Sequence, residues 1–433
     1  MRRRVRKVVG WVLLLLVAVA IGGGWFAYSY VTDNETLRAA IREGAPRFLP
    51  GCVVDVQRVH VRPFLGRIVL GVVSLRKLEG GSPLLVGSSP WVQVSYDPWA
   101  MLDGRFDLKE VVVAQPRLRL RRRGDGTWNV LGLLADPWPL PPSENSPPIR
   151  VENGTVELVD EADGPEASAA AILRDVSVLI TPGDLRGTPI RFEMKAKGDL
   201  CESLELTGTI DRATGRISLA GDLHRLAISS TLAERLPANT RPAFQRLGLA
   251  AGEADVTLRS LVHDPRAAEP LRYDAGVVLR GGVWQCERLP FPINDLSAAV
   301  TLRDGVATVE RAEGRNGPTI TRASGTLGLA DPERAPFHLG LEVIGLELDE
   351  RTRIWASRTF PHGAGLWADF RPGGRVDLEA DLARAAPGGP VDWGVAVTLR
   401  DVALEYKEFR YPLEHVTGEM TARPGRVTAD LHS

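Results

Sequence analysis

The chain has 433 residues, of which 53 are basic and 54 acidic, for a formal net charge of −1, so no long-range field draws it to nucleic acid. Its length exceeds what one small core needs, and 44 glycines and 31 prolines punctuate it throughout, which implies short strands separated by frequent turns. The 3 cysteines, Cys52, Cys201 and Cys286, are far apart and odd in number, which supports neither a disulfide framework nor a metal site.

The N-terminus opens with Arg2, Arg3, Arg4, Arg6 and Lys7, and from Val8 to Val31 the only ionisable side chains are Tyr28 and Tyr30. At about 1.5 Å per residue such a stretch crosses a hydrocarbon core of about 30 Å. It reads as a transmembrane anchor that includes Leu13, Leu14, Leu15 and Leu16, with Trp11 and Trp25 toward its two interfaces. The basic flank places the N-terminus in the cytoplasm. A cleaved signal peptide is the competing reading, since Ala18-Val19-Ala20 has the small-x-small form. Either way residues 32 to 433 lie outside the cytoplasm.

After the anchor, Thr32-x-x-Glu35 has the form of a capping box, and Leu37, Ala40 and Ile41 recur at helical spacing until Gly44 and Pro46 signal a stop. From Val53 onward the period is two, as in Val54-Asp55-Val56-Gln57, Leu118-Arg119-Leu120, Val156-Glu157-Leu158, Phe192-Glu193-Met194-Lys195 and Leu204-Glu205-Leu206. Such strands carry one apolar and one wet face. Asp136 to Pro148 is too rich in proline for a central strand or a helix and reads as a loop or hinge. Further helical segments are expected from Ser230 to Leu247 and from Arg351 to Trp355.

The chain also resembles itself at an offset of 120 residues (346 − 226): Leu226 meets Leu346, Val277 meets Val397, Leu279 meets Leu399, Arg280 meets Arg400, and Gly305 meets Gly425. Copy one is assigned to 223–342 and copy two to 343–433. The second is incomplete relative to the first, which implies either a fragment or a sheet edge open to pairing with another chain. A repeated sheet that is apolar on one face must cover it. Either it closes as a sandwich or barrel, or it curls into a groove whose lining meets an apolar ligand.

The motifs that suggest chemistry have plainer readings. Arg123-Gly124-Asp125 and Asn153-Gly154 fit hairpin turns, and Asn34-Glu35-Thr36 fits a helix start. The basic run Arg117 to Arg123 fits a solvated strand face. His60, His224, His263, His338, His362, His415 and His432 show no ligand spacing. No phosphate-binding loop, dinucleotide fingerprint or nucleophile elbow occurs, so no catalytic residue, metal or cofactor is assigned and the chain is read as a non-enzyme.

One segment carries a resemblance: Tyr96-Asp97-Pro98-Trp99, Leu102-Asp103-Gly104-Arg105-Phe106, the strand Val111 to Leu120 through Gln115-Pro116, and Gly124-Asp125-Gly126-Thr127-Trp128-Asn129-Val130. Together with the anchor and early helix it resembles the AsmA-like proteins of Gram-negative envelopes over residues 1 to 160. The resemblance implies a mostly β fold, in which an N-terminal transmembrane helix precedes an elongated, curled antiparallel β-groove with a few short helices. The organisation expected is an anchor at 1–31, an AsmA-like β unit at 32–135, a Pro-rich linker at 136–148, a groove segment at 149–222, and the two repeat copies.

The function implied is that of an inner-membrane-anchored periplasmic protein that holds or moves phospholipid between the inner and outer membranes. Acyl chains are expected on Leu118, Leu120, Val156, Leu158, Leu204, Leu206, Val277, Leu279, Val397 and Leu399. The alternative is an envelope scaffold that assists outer-membrane protein assembly or secretion, with an outer-membrane or periplasmic protein as partner at the C-terminal sheet edge.

Overall fold

The computed structural model describes residues 34–48, 52–79, 82–100, 107–123, 129, 147–160, 171–183, 188–211, 213–236, 241–285, 289–329, 331, 334–359, 363–408 and 411–432. The expected anchor, with Trp11, Leu13, Leu14, Leu15, Leu16 and Trp25, lies outside the described residues. Among the described residues no helix is long and apolar enough to cross a membrane. The described residues are mostly β, with 20 strands, paired antiparallel except at the strand Ile149–Asp160, and few helices. The chain divides into two compact units, Met1–Ala196 and Lys197–Ser433.

In the first unit, helix α1 (Asn34–Phe48) lies along strand β1 (Cys52–Arg62). The Asn34 side chain accepts the Val59 N–H at 2.8 Å, and Arg38 Nε donates to the Val56 carbonyl at 2.7 Å. Arg42 pairs with Asp55 at 2.9 Å. These bonds occupy main-chain groups that a sheet edge otherwise leaves open. The helix runs to Phe48, beyond the stop expected at Gly44 and Pro46.

β1 pairs antiparallel with β2 (Arg67–Glu79), and β2 with β3 (Ser82–Tyr96). β3 then pairs with β4 (Leu108–Ala114) and, through Gly87 and Ser88, with β5 (Arg117–Arg122). Gln115, at φ 46°, and Pro116 break what is otherwise one strand. β6 (Ile149–Asp160) runs parallel to both β4 and β5, and antiparallel to β7 (Ala171–Thr181). A parallel pair needs a crossover of a dozen or more residues. The Pro-rich stretch lies within that connection, so it joins two hydrogen-bonded neighbours of one unit. Asn153-Gly154, expected as a hairpin turn, instead sits inside β6, where Asn153 takes φ 53° and the register shifts between Val151 and Gly154. The left-handed preference of Asn-Gly is spent on a β-bulge rather than on a chain reversal.

Strand β8 (Ile190–Gly198) leads to the second unit, an antiparallel meander. Its strands are β9 (Ser203–Ile210), β10 (Ile217–Ile228), β11 (Leu249–His263), β12 (Leu271–Trp284), β13 (Ile293–Arg303), β14 (Val306–Asn316), β15 (Thr319–Gly328), β16 (Phe337–Glu347), β17 (Gly373–Arg384), β18 (Asp392–Leu404), β19 (Leu413–Arg423) and β20 (Arg426–His432). Helices α2 (Ser230–Arg235) and α3 (Arg241–Arg246) follow β10, and α4 (Glu350–Thr359) and α5 (Gly363–Phe370) follow β16.

The elements of this unit recur at the offset seen in the sequence. β10 and β16 begin 120 residues apart (337 − 217), as do β13 and β19 (413 − 293) and β14 and β20 (426 − 306). Details recur with them. Ser229 accepts the Leu232 N–H at the start of α2, and Asp349 accepts the Thr352 N–H at the start of α4. Each copy has an apolar cluster: Ile228, Leu232, Ala254 and Leu279 in the first, with Phe244 of α3 packed against it, and Val343, Leu346, Val376, Leu399, Val402 and Val416, all from strands, in the second. Truncating Leu279 or Leu399 to Ala should cost about 2–5 kcal/mol each, the range for cavities in packed cores. Urea titrations of the two variants check this, and a cost within error of zero for either would show that its cluster is not a core.

Candidate functional site

Register determines which side chains share a face, because successive residues of a strand point to opposite sides. In the second unit the pairing carries one apolar row across successive strands: Leu204, Leu223, Val256, Val277, Val300, Val309, Gly325, Leu339, Leu382 and Trp393. The adjacent row alternates large and small: Leu206, Gly221, Leu258, Ala275, Leu302, Ala307, Leu327 and Phe337. It ends at Arg384, whose guanidinium lies 5.2 Å from the centre of the Phe337 ring and closes the row with a cation–π contact.

The opposite face of the same strands carries Glu205, Asp222, Thr257, Gly276, Thr301, Thr308, Thr326 and His338 in direct register. Further along, Arg322 bridges Glu313 at 3.0 Å and Glu342 at 3.2 Å. Two rows of this polar face, Arg322 to Thr421 and Ser324 to Arg423, line an open cavity of about 750 Å³. An acyl chain placed there would desolvate Glu342, Glu379 and Asp381, which is unfavourable without compensating charge. The apolar rows, rather than this cavity, are therefore the candidate site.

All ten expected lining residues lie on strands. Leu118, Leu120, Val156 and Leu158 form two directly paired couples in the first unit. In the second unit Leu204, Leu206, Val277, Leu279, Val397 and Leu399 share the apolar face. Eight of the ten are half-buried, whereas Leu279 and Leu399 are only 8% and 7% exposed within the two clusters. These two thus present little surface to a ligand. Leu339, Leu382, Leu302, Leu327 and Phe337 are half-buried on the same face and were not among the expected residues. Alternation in Phe337-His338-Leu339 and Glu379-Ala380-Asp381-Leu382 was the signal available for them.

Bulges bend the sheet beside these rows. Arg225 in β10 takes φ 50° and Gly345 in β16 takes φ 70° at equivalent positions of the two copies. Each bulge is held by one aspartate. Asp255 accepts the Arg225 N–H at 2.9 Å and Arg280 Nη1 at 2.6 Å, and Asp377 accepts the Gly345 N–H at 2.8 Å and Arg400 Nε at 2.7 Å. The bond from the Arg225 amide, followed by that from Arg280, holds the Asp255 carboxyl below its ordinary value. At Asp377 burial pushes upward, and the Gly345 amide with Arg400 overcomes it, so the net direction is again down.

Both Cys52, which is buried, and Cys201 are free thiols whose pKa values burial raises, so neither is an activated nucleophile. Among the described residues no group of His, Cys, Asp and Glu is arranged to hold a metal ion. No family model matches the chain, and no curated protein is significantly similar to it.

Two outcomes follow from the bulges. Because the carboxyls are depressed on folding, the stability they contribute is present above the ordinary aspartate value of 3.8 and is lost as pH falls through their folded values. Asp377→Asn should cost about 1–2 kcal/mol at neutral pH and flatten the acid limb of a stability-versus-pH curve; an unchanged acid limb would remove Asp377 from this role. Gly345→Val should cost about 1–2 kcal/mol because a β-branched residue resists the left-handed region, whereas Gly345→Asn should cost less. Thermal unfolding of the pair reads the difference, and equal stability would contradict it.

Proposed function

We propose that the chain is a membrane-anchored envelope protein whose apolar sheet face holds phospholipid acyl chains, with headgroups toward its polar margins. The observation that carries this reading is the unbroken apolar register from Leu204 to Trp393, backed on the other face by threonine and charged rows. A flexible hydrocarbon chain asks only for contiguous apolar surface and no hydrogen bonds. The row that alternates leucine with glycine or alanine adds a second line of apolar side chains beside the first. Each buried methylene contributes about 0.8 kcal/mol, so a chain lying across several strands binds without any polar contact.

The reading assigns binding without chemistry. The resemblance to AsmA-like proteins and the apolar stretch Val8 to Val31 support a location at the inner membrane with the bulk of the chain in the periplasm, and phospholipid transfer between membranes as the role.

The test is mass spectrometry of lipids extracted from the full chain after purification from a Gram-negative envelope and detergent exchange. Stoichiometric phospholipid is expected. Leu339→Asp combined with Leu382→Asp, a directly paired couple on half-buried positions, should reduce bound lipid about tenfold by placing carboxylates against hydrocarbon. Circular dichroism verifies that the variant is folded. A folded wild-type protein free of phospholipid, or a folded double variant with undiminished lipid, would overturn the reading.

A further inference from the structure

The first unit ends, at the β1–β2 connection, in three large apolar side chains that face solvent: Phe64 is 89% exposed, Leu65 64% and Trp99 76%. They come from separate parts of the chain. Phe64 and Leu65 sit in a 3₁₀ turn, Pro63–Leu65, closed by Gly66 at φ 60°. Trp99 follows the end of β3. The Tyr96 N–H donates to the Gly66 carbonyl at 2.8 Å, and a Cβ on Gly66 would stand 2.2 Å from the Tyr96 carbonyl oxygen and 2.9 Å from Pro98. Only glycine permits that approach, so the two segments are locked side by side.

Two further observations say what covers this tip. Arg62 and Arg67 are exposed and directly paired where the hairpin narrows. Like charges in that position repel unless an anion lies nearby. The α1 bonds place Asn34 at Val59, so the start of the helix lies at the tip end of β1. Val59 precedes Phe64 by five residues (64 − 59), a reach of at most ~17 Å at about 3.3 Å per residue. Only Thr32 and Asp33 separate Asn34 from the apolar stretch Val8 to Val31.

From this we infer that Phe64, Leu65 and Trp99 insert into the interface of the bilayer that the N-terminal apolar stretch enters, with Arg62 and Arg67 on anionic phospholipid headgroups. An aromatic and aliphatic tip with a basic collar is the composition that partitions to a lipid–water boundary. The inference rests on the membrane-anchor part of the proposed function and is independent of the groove. It gives the first unit a second contact with the membrane and so sets its orientation there.

The test uses the full chain in phosphatidylcholine vesicles with and without phosphatidylglycerol. A benzophenone amino acid replaces Phe64, Trp99 or, as an exposed control in the second unit, Tyr411, which is 74% exposed. Lipid adducts after illumination are counted by mass spectrometry, and resistance to alkaline extraction reports integration. Adducts at positions 64 and 99 should exceed those at 411 by about tenfold, the ratio that burial of one such side chain supports. Arg62→Glu with Arg67→Glu should lower them in vesicles containing phosphatidylglycerol only. An integrated chain with adducts no more frequent at 64 and 99 than at 411 overturns the inference and leaves the anchor standing. Adducts at the tip without integration overturn the anchor and, with it, the inference that the tip shares the anchor's bilayer. Neither adducts nor integration overturns both.

Discussion

Cross-strand register is the constraint on which the rest depends. Side chains alternate between faces along every strand, so a slip of one residue in any ladder would move its leucines to the wet side and its glutamates to the apolar side. In the second unit the ladders hold Leu204 to Trp393 on one face and threonine and charged residues on the other. The candidate site is therefore not a set of residues converging on a point. It is a consequence of register being kept through every strand.

Keeping register does not mean keeping the strands regular. β10, β12, β13, β16 and β18 all carry shifts, at Leu223/Leu226, Leu279/Gly282, Asn294/Ser297, Val343/Leu346 and Leu399/Val402. Each extra residue strengthens the local twist and bends the strand. The apolar clusters of the two copies include Leu279, Leu346, Leu399 and Val402, at these bends. Asp255 and Asp377 accept the amide that each bulge frees and tie it to the arginine of a neighbouring strand. The same device occurs in both copies, with Arg225 in one and Gly345 in the other taking the left-handed conformation.

A division of labour follows within the second unit. Leucines at the bends such as Leu279, Leu346 and Leu399 are buried and hold the fold, whereas the leucines along the straight parts of the candidate rows stay half-buried and present surface to a ligand. Leu279 and Leu399 belong to the first class, Leu339 and Leu382 to the second. This explains why alternation alone could not separate structural leucines from candidate ligand-binding ones, since the pattern is identical in both.

What the sequence determined by itself was local and periodic: the strand character, the face to which each side chain belongs, the repeat offset of 120 residues (346 − 226), and the existence of the early helix. Strand character, face and helix follow from nearest neighbours along the chain, because a period of two and a turn glycine act over a few residues, and the offset from the chain's likeness to itself. Tertiary structure decided whatever depends on partners distant in sequence. Asn153-Gly154 became a bulge because β7 and Pro116 pack against it, and the Pro-rich stretch fell in a crossover because β5 and β6 pair in parallel. The juxtaposition of Phe64, Leu65 and Trp99 was likewise invisible in the chain, since it exists only through the contact of Gly66 with Tyr96 and Pro98.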